Sequence, residues 1–138
     1  MAILGGVGNP VGGSFTGPAE ALEVIGDHCF AYSGPIEDAA SGSAATTLLK
    51  FTSGNYYSIV EFGQYNDHAG GQNIYITIAM NGTIILSADF DTTTYDNGQQ
   101  PIPLLIPPYT DVEVKWGVDT VTETMSAYMV GRIYRTRD

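Results

Sequence analysis

The chain has 138 residues, a length that suits a single domain. Apolar residues make up 43% of the chain and only 17 positions are Gly, which excludes a disordered or a collagen-like protein. The formal net charge is −10 at pH 7 and no run of Lys or Arg offsets it, so nucleic acid is not an expected partner.

Other sequence features bear on the compartment. No apolar run approaches the roughly 20 residues of a membrane span, so no membrane partner is expected. The opening MAILGGVGNP lacks the basic and apolar regions of a signal peptide, and the single Cys29 cannot form an internal disulfide. We therefore expect synthesis and folding in a cytoplasm.

Residues 1–18 are predicted to form an extended N-terminal arm. The segment GGVGNPVGG places five glycines and one proline within nine positions, which suits neither a helix nor a regular strand. Ile3, Leu4 and Phe15 are apolar residues on this segment. They could anchor the arm on a neighbouring subunit; the alternative is a loose terminus without a docking role.

Residues 19–138 are predicted to form one all-β domain, an antiparallel β-sandwich of jelly-roll type. Short segments rich in Ile, Val, Thr, Tyr and Phe are separated by turn-forming sequences such as HAGG, NG and DNG. The candidate strands are residues 21–25, 28–33, 46–52, 56–65, 73–80, 83–90, 102–106, 111–118 and 124–135. A helix over 18–26 competes with the first strand, because Pro18 and Gly26 suit its two ends. We favour a strand that runs into 28–33.

Three local patterns predict geometry. In 73–80 and 83–90 the apolar residues alternate, and a three-residue loop at 80–82 would place both apolar sets on one face, with Ile78 opposite Ile84. In PIPLLIPP, Pro101, Pro103 and Pro107 fall on odd positions, which predicts that 101–107 is an edge strand bonded through its even residues. Val112, Val114, Trp116 and Val118 should face the core.

No pattern predicts chemistry. His28 and Cys29 are neighbours and would point to opposite faces of a strand, so they cannot form a nucleophile–base pair. The Asp-His dipeptides at 27–28 and 67–68 have no metal-ligand spacing, and surface or turn roles are favoured for them. We predict no catalytic, cofactor-binding or metal residues, no cofactor and no enzyme activity.

One cluster of acidic residues has two interpretations, a calcium site and solvated carboxylates. Asp89, Asp91 and Asp96 lie at a strand end and its loop, where carboxylates can bind calcium, but the spacing is not that of an EF-hand. Solvated carboxylates are the favoured interpretation.

Protein interfaces are the remaining candidate sites. Only 14% of the residues are charged, against about 25% in a typical soluble protein, and obligate interfaces are depleted in charge in this way. Tyr109 is one of nine tyrosines, and Arg132 and Arg135 are two of five basic residues. Together with Ile3, Leu4 and Phe15 they are the predicted interface residues; solvated tyrosine hydroxyls and a solvated basic tail are the alternatives.

Five stretches carry a family resemblance: AYSG at 31–34, TTLLKFTSGNYY at 46–57, NIYITIAMNGTII at 73–85, PIPLLIPPYTDVEV at 101–114 and VGRIY at 130–134. In these the chain resembles the small jelly-roll virion proteins of tailed phages. The resemblance implies a head decoration (cement) protein, located in the virion after synthesis in the host cytoplasm, that forms homotrimers and clamps the major capsid protein. It carries over no functional residues. The alternative is a carbohydrate-binding β-sandwich, either a receptor-binding virion component or a free module.

Overall fold

The computed structural model describes residues 22–66, 73–91 and 101–135, which form two antiparallel sheets packed face to face. The prediction of an all-β antiparallel β-sandwich is confirmed. The predicted arm, 1–18, lies outside the described residues. The described part of the chain contains no helix, and so none long and apolar enough to cross a membrane.

Ten strands follow one another along the described chain. They are β1 (Glu23–Ile25), β2 (His28–Tyr32), β3 (Ile36–Asp38), β4 (Thr46–Thr52), β5 (Tyr57–Asn66), β6 (Asn73–Met80), β7 (Thr83–Asp91), β8 (Ile102–Ile106), β9 (Asp111–Val118) and β10 (Glu123–Tyr134). The six-stranded sheet has the order β1–β2–β10–β5–β8, with β3 also paired to β10. The four-stranded sheet has the order β4–β9–β6–β7.

The pairing of the eight longer strands is nested. Strand β2 pairs with β10, β4 with β9, β5 with β8, and β6 with β7. Each strand of the first half of the chain therefore lies beside its counterpart from the second half, as in a long hairpin that has been rolled into two layers.

The predicted strands agree with the structure to within two residues at each end, but β3 was not predicted. The candidate strands 21–25 and 28–33 are both present, as β1 and β2, but the first does not run on into the second, and the helix alternative is wrong over the described part of 18–26. Ile25 pairs with His28, so β1 and β2 form a hairpin around Gly26 and Asp27. Gly26 has a φ of +62°, the conformation that a type II′ turn requires at its first central residue.

The core lies between the sheets and follows the two-residue period of the strands. Trp116 and the three valines predicted to flank it on β9 are fully buried, which confirms that alternation. Leu48, Ile76 and Met129 add side chains from three further strands. Burying these apolar surfaces is the main term that favours folding, at roughly 25 cal/mol per Å² removed from water.

The β6–β7 hairpin differs from its prediction. Asn81 and Gly82 form a two-residue turn, and both have positive φ, as in a type I′ turn. The register shifts beside Ile78, which pairs with Leu86 and not with Ile84. A bulge in β7 thus supplies the extra residue that we had placed in the loop, and Ile78 and Leu86 still share a face.

Strand β8 is an edge strand, as its prolines predicted. It pairs with β5 on one side, and Pro103 lies opposite Glu61. Because Pro103 has no N–H, that position cannot complete a ladder on the open side. The edge is therefore a poor template for a further strand.

A buried carboxylate joins the two sheets. Asp38, at the end of β3, is 2% exposed and accepts hydrogen bonds from Ser41 N (2.9 Å), Thr46 Oγ1 (2.6 Å) and Val118 N (3.1 Å). Burial alone would raise the pKa of Asp38, but these hydrogen bonds and a further one from the Ser41 hydroxyl outweigh it and lower the pKa below 3.8. The carboxylate thus fixes β3 and the following loop to β4 and β9.

Replacing Asp38 should destabilise the fold. We expect Asp38→Asn to lower the free energy of unfolding by about 3 kcal/mol at pH 7, because charged hydrogen bonds are lost and buried donors are left unpaired. Glu37→Gln, a change at an exposed neighbour, should stay within about 0.5 kcal/mol. Urea denaturation of both variants measures the difference.

Comparing the wild type with Asp38→Asn at several pH values tests the lowered pKa of Asp38. Since the folded pKa of Asp38 lies below its unfolded value, its stabilisation is complete above that value and is lost as pH falls through the folded pKa. The stability gap between wild type and Asp38→Asn should narrow on acidification below about pH 4. A gap that stays constant down to pH 2 would contradict this assignment.

The loop beyond β3 lies directly against the backbone of β9. The N–H of Gly42 donates to the carbonyl of Val118 (2.9 Å), and a Cβ on Gly117 would overlap the carbonyl oxygen of Ser43. We expect Gly117→Ala to destabilise the protein by about 2 kcal/mol, because backbone must move. Gly54→Ala, where nothing lies within 4 Å, should be nearly neutral in the same urea titration. Equal effects of the two would contradict the close approach.

Candidate functional site

The outward side of the six-stranded sheet carries a group of apolar and aromatic side chains around a few charged ones. Residues that pair in register share a face. One row of such residues therefore crosses the sheet from Ile25 on β1 to Leu105 on β8, and Tyr57 and Tyr134 form a shorter row beside it. We name this set the apolar face. It consists of Ile25, Phe30, Tyr32, Tyr57, Ile59, Leu105, Val130 and Tyr134.

The apolar face is open to solvent in the single chain. Six of its members are between 41% and 65% exposed, and Phe30 and Val130 are half-buried. Scattered exposed apolar residues are ordinary on a protein surface, but a contiguous patch usually marks a contact with another molecule. The apolar face is therefore the strongest candidate site among the described residues.

Charge enters this surface at its centre. A shallow depression of about 550 Å³ is lined by Phe30, Ile59 and other members of the apolar face. Among the described side chains, the ones that bring charge or a titratable imidazole into it are Arg132, Glu61 and His28. Arg132 pairs in register with His28 on one side and with Ile59 on the other.

Aromatic packing makes part of this sheet surface rigid. The rings of Phe30 and Tyr32 lie 5.2 Å apart between centroids. Tyr128 pairs with Tyr32 on one side and with Gly63 on the other, and a Cβ on Gly63 would overlap the Tyr128 ring. The ring therefore lies over the bare backbone of Gly63, which fixes its position beside the apolar face.

The outward side of the four-stranded sheet has a different character. A depression of about 690 Å³ there is lined mainly by polar residues, including Lys50 and Thr52. The Thr52 hydroxyl donates to Asp111 (2.6 Å), and the Thr47 hydroxyl donates to Glu113 (3.3 Å). These carboxylates already have partners within the chain, so we interpret this surface, the polar face, as solvated.

Tyr109 stands at one end of the sandwich. Its φ is +53°, in the left-handed region that favours glycine, and its side chain is 70% exposed. Its N–H donates to the carbonyl of Gly54 (2.8 Å), and the next N–H, of Thr110, donates to the Ser53 hydroxyl (2.8 Å). The loop holds an exposed ring in a strained conformation, outside the apolar face.

The structure separates the other predicted interface residues. Arg132 lies in the middle of the apolar face. Arg135 instead donates to Asp27 (3.1 Å) and lies over the Tyr56 ring at 5.0 Å, which leaves its charge engaged within the chain. Ile3, Leu4 and Phe15 lie outside the described residues. Their interface role stays a prediction.

Most members of the apolar face were missed in the sequence. A usable signal existed in β5, where Tyr57 and Ile59 are apolar on one side while Val60 and Phe62 are apolar on the other. A strand that is apolar on both sides is typical of a sheet covered on both faces. The rest of the face becomes visible only when the register brings β2, β8 and β10 beside this strand.

Catalytic and metal chemistry find no support within the described ranges. Cys29 is buried and His28 is exposed, on opposite sides of β2, as predicted. No group of three or more His, Cys, Asp or Glu is placed to hold a metal in the parts that the structure describes. Asp89 is exposed, whereas Asp67, His68 and Asp96 fall outside those parts.

The thiol of Cys29 should be unreactive in the folded protein. Burial raises its pKa to about 11, so the thiolate is scarce at neutral pH and the sulfur is also covered. We expect iodoacetamide at pH 8 to label Cys29 at least a hundredfold more slowly in the native protein than in urea. Mass spectrometry follows the adduct, and equal rates would contradict the burial.

Comparisons with known proteins leave the chain without a family. No family model matches it, and no curated protein does. Among solved structures, it is similar to a β-glucosidase from Paenibacillus barengoltzii at 13% identity and a TM-score of 0.38, over 82% of this chain and 11% of that one. It is also similar to dimeric latent PorU from Porphyromonas gingivalis at 16% identity and a TM-score of 0.36, over 87% of this chain and 14% of that one. The chain thus spans about a tenth to a seventh of each, and similarities this weak carry no argument about function.

Proposed function

We propose that this protein is a non-enzymatic structural component of a phage virion, most specifically a head decoration protein that binds to and stabilises the major capsid lattice. The observation that supports an assembly role is the apolar face. The phage setting rests on the sequence resemblance alone.

The physical argument for assembly concerns solvation. Each exposed apolar side chain on the face costs free energy in water, at roughly 25 cal/mol per Å², and a second protein surface would remove that cost. Only 14% of the residues are charged, although the formal net charge is −10, and interface cores are depleted in charged residues. A subunit that works inside an assembly has both properties.

A carbohydrate-binding module is the second candidate, because Tyr57 and Tyr134 lie side by side and exposed on a sheet surface. Aromatic rings in such a position can stack on sugars. Trp116 cannot take part, because it is fully buried. Saccharide binding should therefore alter tyrosine emission and leave Trp116 emission unchanged.

The decisive experiment is to look for the chain in virus particles. We expect quantitative mass spectrometry of gradient-purified particles from the source of the gene to find it at a fixed ratio to the major capsid protein. Gold-labelled antibody should mark the heads. Absence from the particles, together with binding on a glycan array, would replace this proposal with the carbohydrate module.

Two matched variants connect the apolar face to assembly. Ile59→Asp places a charge in the apolar face, whereas Ile84→Asp places one at a more exposed isoleucine of the other sheet. We expect Ile59→Asp to lower occupancy on purified capsids at least tenfold in a sedimentation assay, and Ile84→Asp to stay within twofold. Both variants should unfold at the wild-type urea concentration, and an equal loss for both would contradict the role of the face.

A further inference from the structure

We propose that the apolar face is covered by the same face of a second copy, in a two-fold pair that places Arg132 of each copy against Glu61 of the other. This rests on the proposed function in one respect, since it takes the face to be an assembly surface. It adds the identity of the partner and the contact that sets the register.

The first argument is charge. Glu61 pairs in register with Val130, and Arg132 pairs with Ile59, so the two charged residues lie one row apart on neighbouring strands. Both are exposed, and neither makes a side-chain ion pair or hydrogen bond with another described residue. Arg132 and Glu61 thus lie side by side among apolar residues, and neither has an ion-pair partner among the described side chains.

Two-fold symmetry turns this arrangement into complementarity. In an isologous contact, residue i of one copy meets residue j of the other and the reverse also holds. A surface in which Arg132 lies beside Glu61 can therefore pair both of these charges at once, with neither of them facing its own kind. A partner with a wholly apolar surface would instead leave Arg132 and Glu61 buried without partners, at a large desolvation cost.

The size of the apolar face sets the strength of the contact that it can make. The face spans the width of the sheet from β1 to β8, four strand spacings of about 4.8 Å, and six residue steps of about 3.3 Å along β10. A footprint of roughly 19 Å by 20 Å, about 380 Å² per copy, is about half of the roughly 800 Å² per partner of a standard interface, so the contact is a small one. We therefore expect association in the micromolar range.

The pair differs from the trimer that the resemblance implies. An isologous contact closes at two copies, so this face by itself builds no ring of three. Pairing through the six-stranded sheets leaves both polar faces, on the four-stranded sheets, directed outwards. Those faces and the predicted arm remain available for contact with a capsid.

The test uses the purified full chain and measures mass by light scattering over a micromolar concentration series. We expect the wild-type mass to rise from 14.7 kDa towards twice that value. Glu61→Arg and Arg132→Glu should each raise the dissociation constant at least tenfold, because like charges then meet. The double reversal should restore it to within about threefold, as coupling between two facing residues requires.

Controls separate pairing from folding. Lys50→Glu reverses an exposed charge on the polar face and should leave the dissociation constant unchanged. Urea denaturation at a concentration well below the wild-type dissociation constant, where every variant is monomeric, should give the same midpoint for all of them, because the exposed charges have no described partner within the chain to lose.

Each outcome decides the proposal. A mass of 14.7 kDa at every concentration, or a stable mass of three copies, overturns the pair. A dimer that the single reversals do not weaken overturns the Arg132–Glu61 contact. A monomer whose capsid binding still depends on Ile59 leaves the virion role intact and makes the capsid the occupant of the face. A dimer with the expected charge coupling that is absent from particles supports the pair and overturns the virion role.

Discussion

The six-stranded sheet depends on the double pairing of β10. This strand pairs along its length with β5 on one side, and with β3 and β2 in turn on the other. Its inward residues, such as Met129, belong to the core, and its outward residues, such as Arg132, lie in the apolar face. Because successive side chains of a strand point to opposite sides, one strand fixes both the packing of the sandwich and the layout of the surface.

The β8 edge and the broad outer side of the six-stranded sheet differ in how readily another molecule can associate with them. At the β8 edge, Pro103 removes a donor that another strand would need, so edge-to-edge pairing is discouraged there. The broad side of the same sheet has no such protection and exposes rows of apolar residues. The molecule thus discourages one mode of association while leaving another open. Such a combination favours contacts of defined geometry over open-ended aggregation.

Local patterns were enough to predict the strands whose alternation is strong. Ile74, Ile76 and Ile78 on β6 and Trp116 on β9 predicted both bounds and inward faces, since the two-residue period directly reports burial. The prediction for the hairpin between β6 and β7 was wrong because the sequence indicates that one extra residue is needed but does not show whether it lies in the loop or in a strand. A loop residue and a bulge both satisfy the same facing requirement, and the Asn81–Gly82 turn is favourable enough to place it in the strand.

Long-range features were beyond sequence reasoning. Strand β3 has three residues, and it exists because Asp38 finds donors from Thr46 and Val118, the latter 80 positions away. The apolar face was equally hidden, because Phe30, Ile59 and Leu105 become neighbours only through strand pairing. Arg132 was predicted as an interface residue from its place among the C-terminal basic residues, whereas its position beside Glu61 and among apolar side chains follows only from the register of β5 and β10.

The nested strand order also governs when the protein can fold. Cys29 on β2 lies against Gly131 on β10, about a hundred residues later, so the outermost pair of the roll closes a very long loop. Folds dominated by such distant contacts form slowly, and here the centre of one sheet is missing until β10 has been synthesised. A nascent chain that has not yet been extended through β10 therefore lacks both a core strand and the apolar face built on it. Only copies that extend through Tyr134 can present the complete apolar face, so a copy truncated before β10 lacks it.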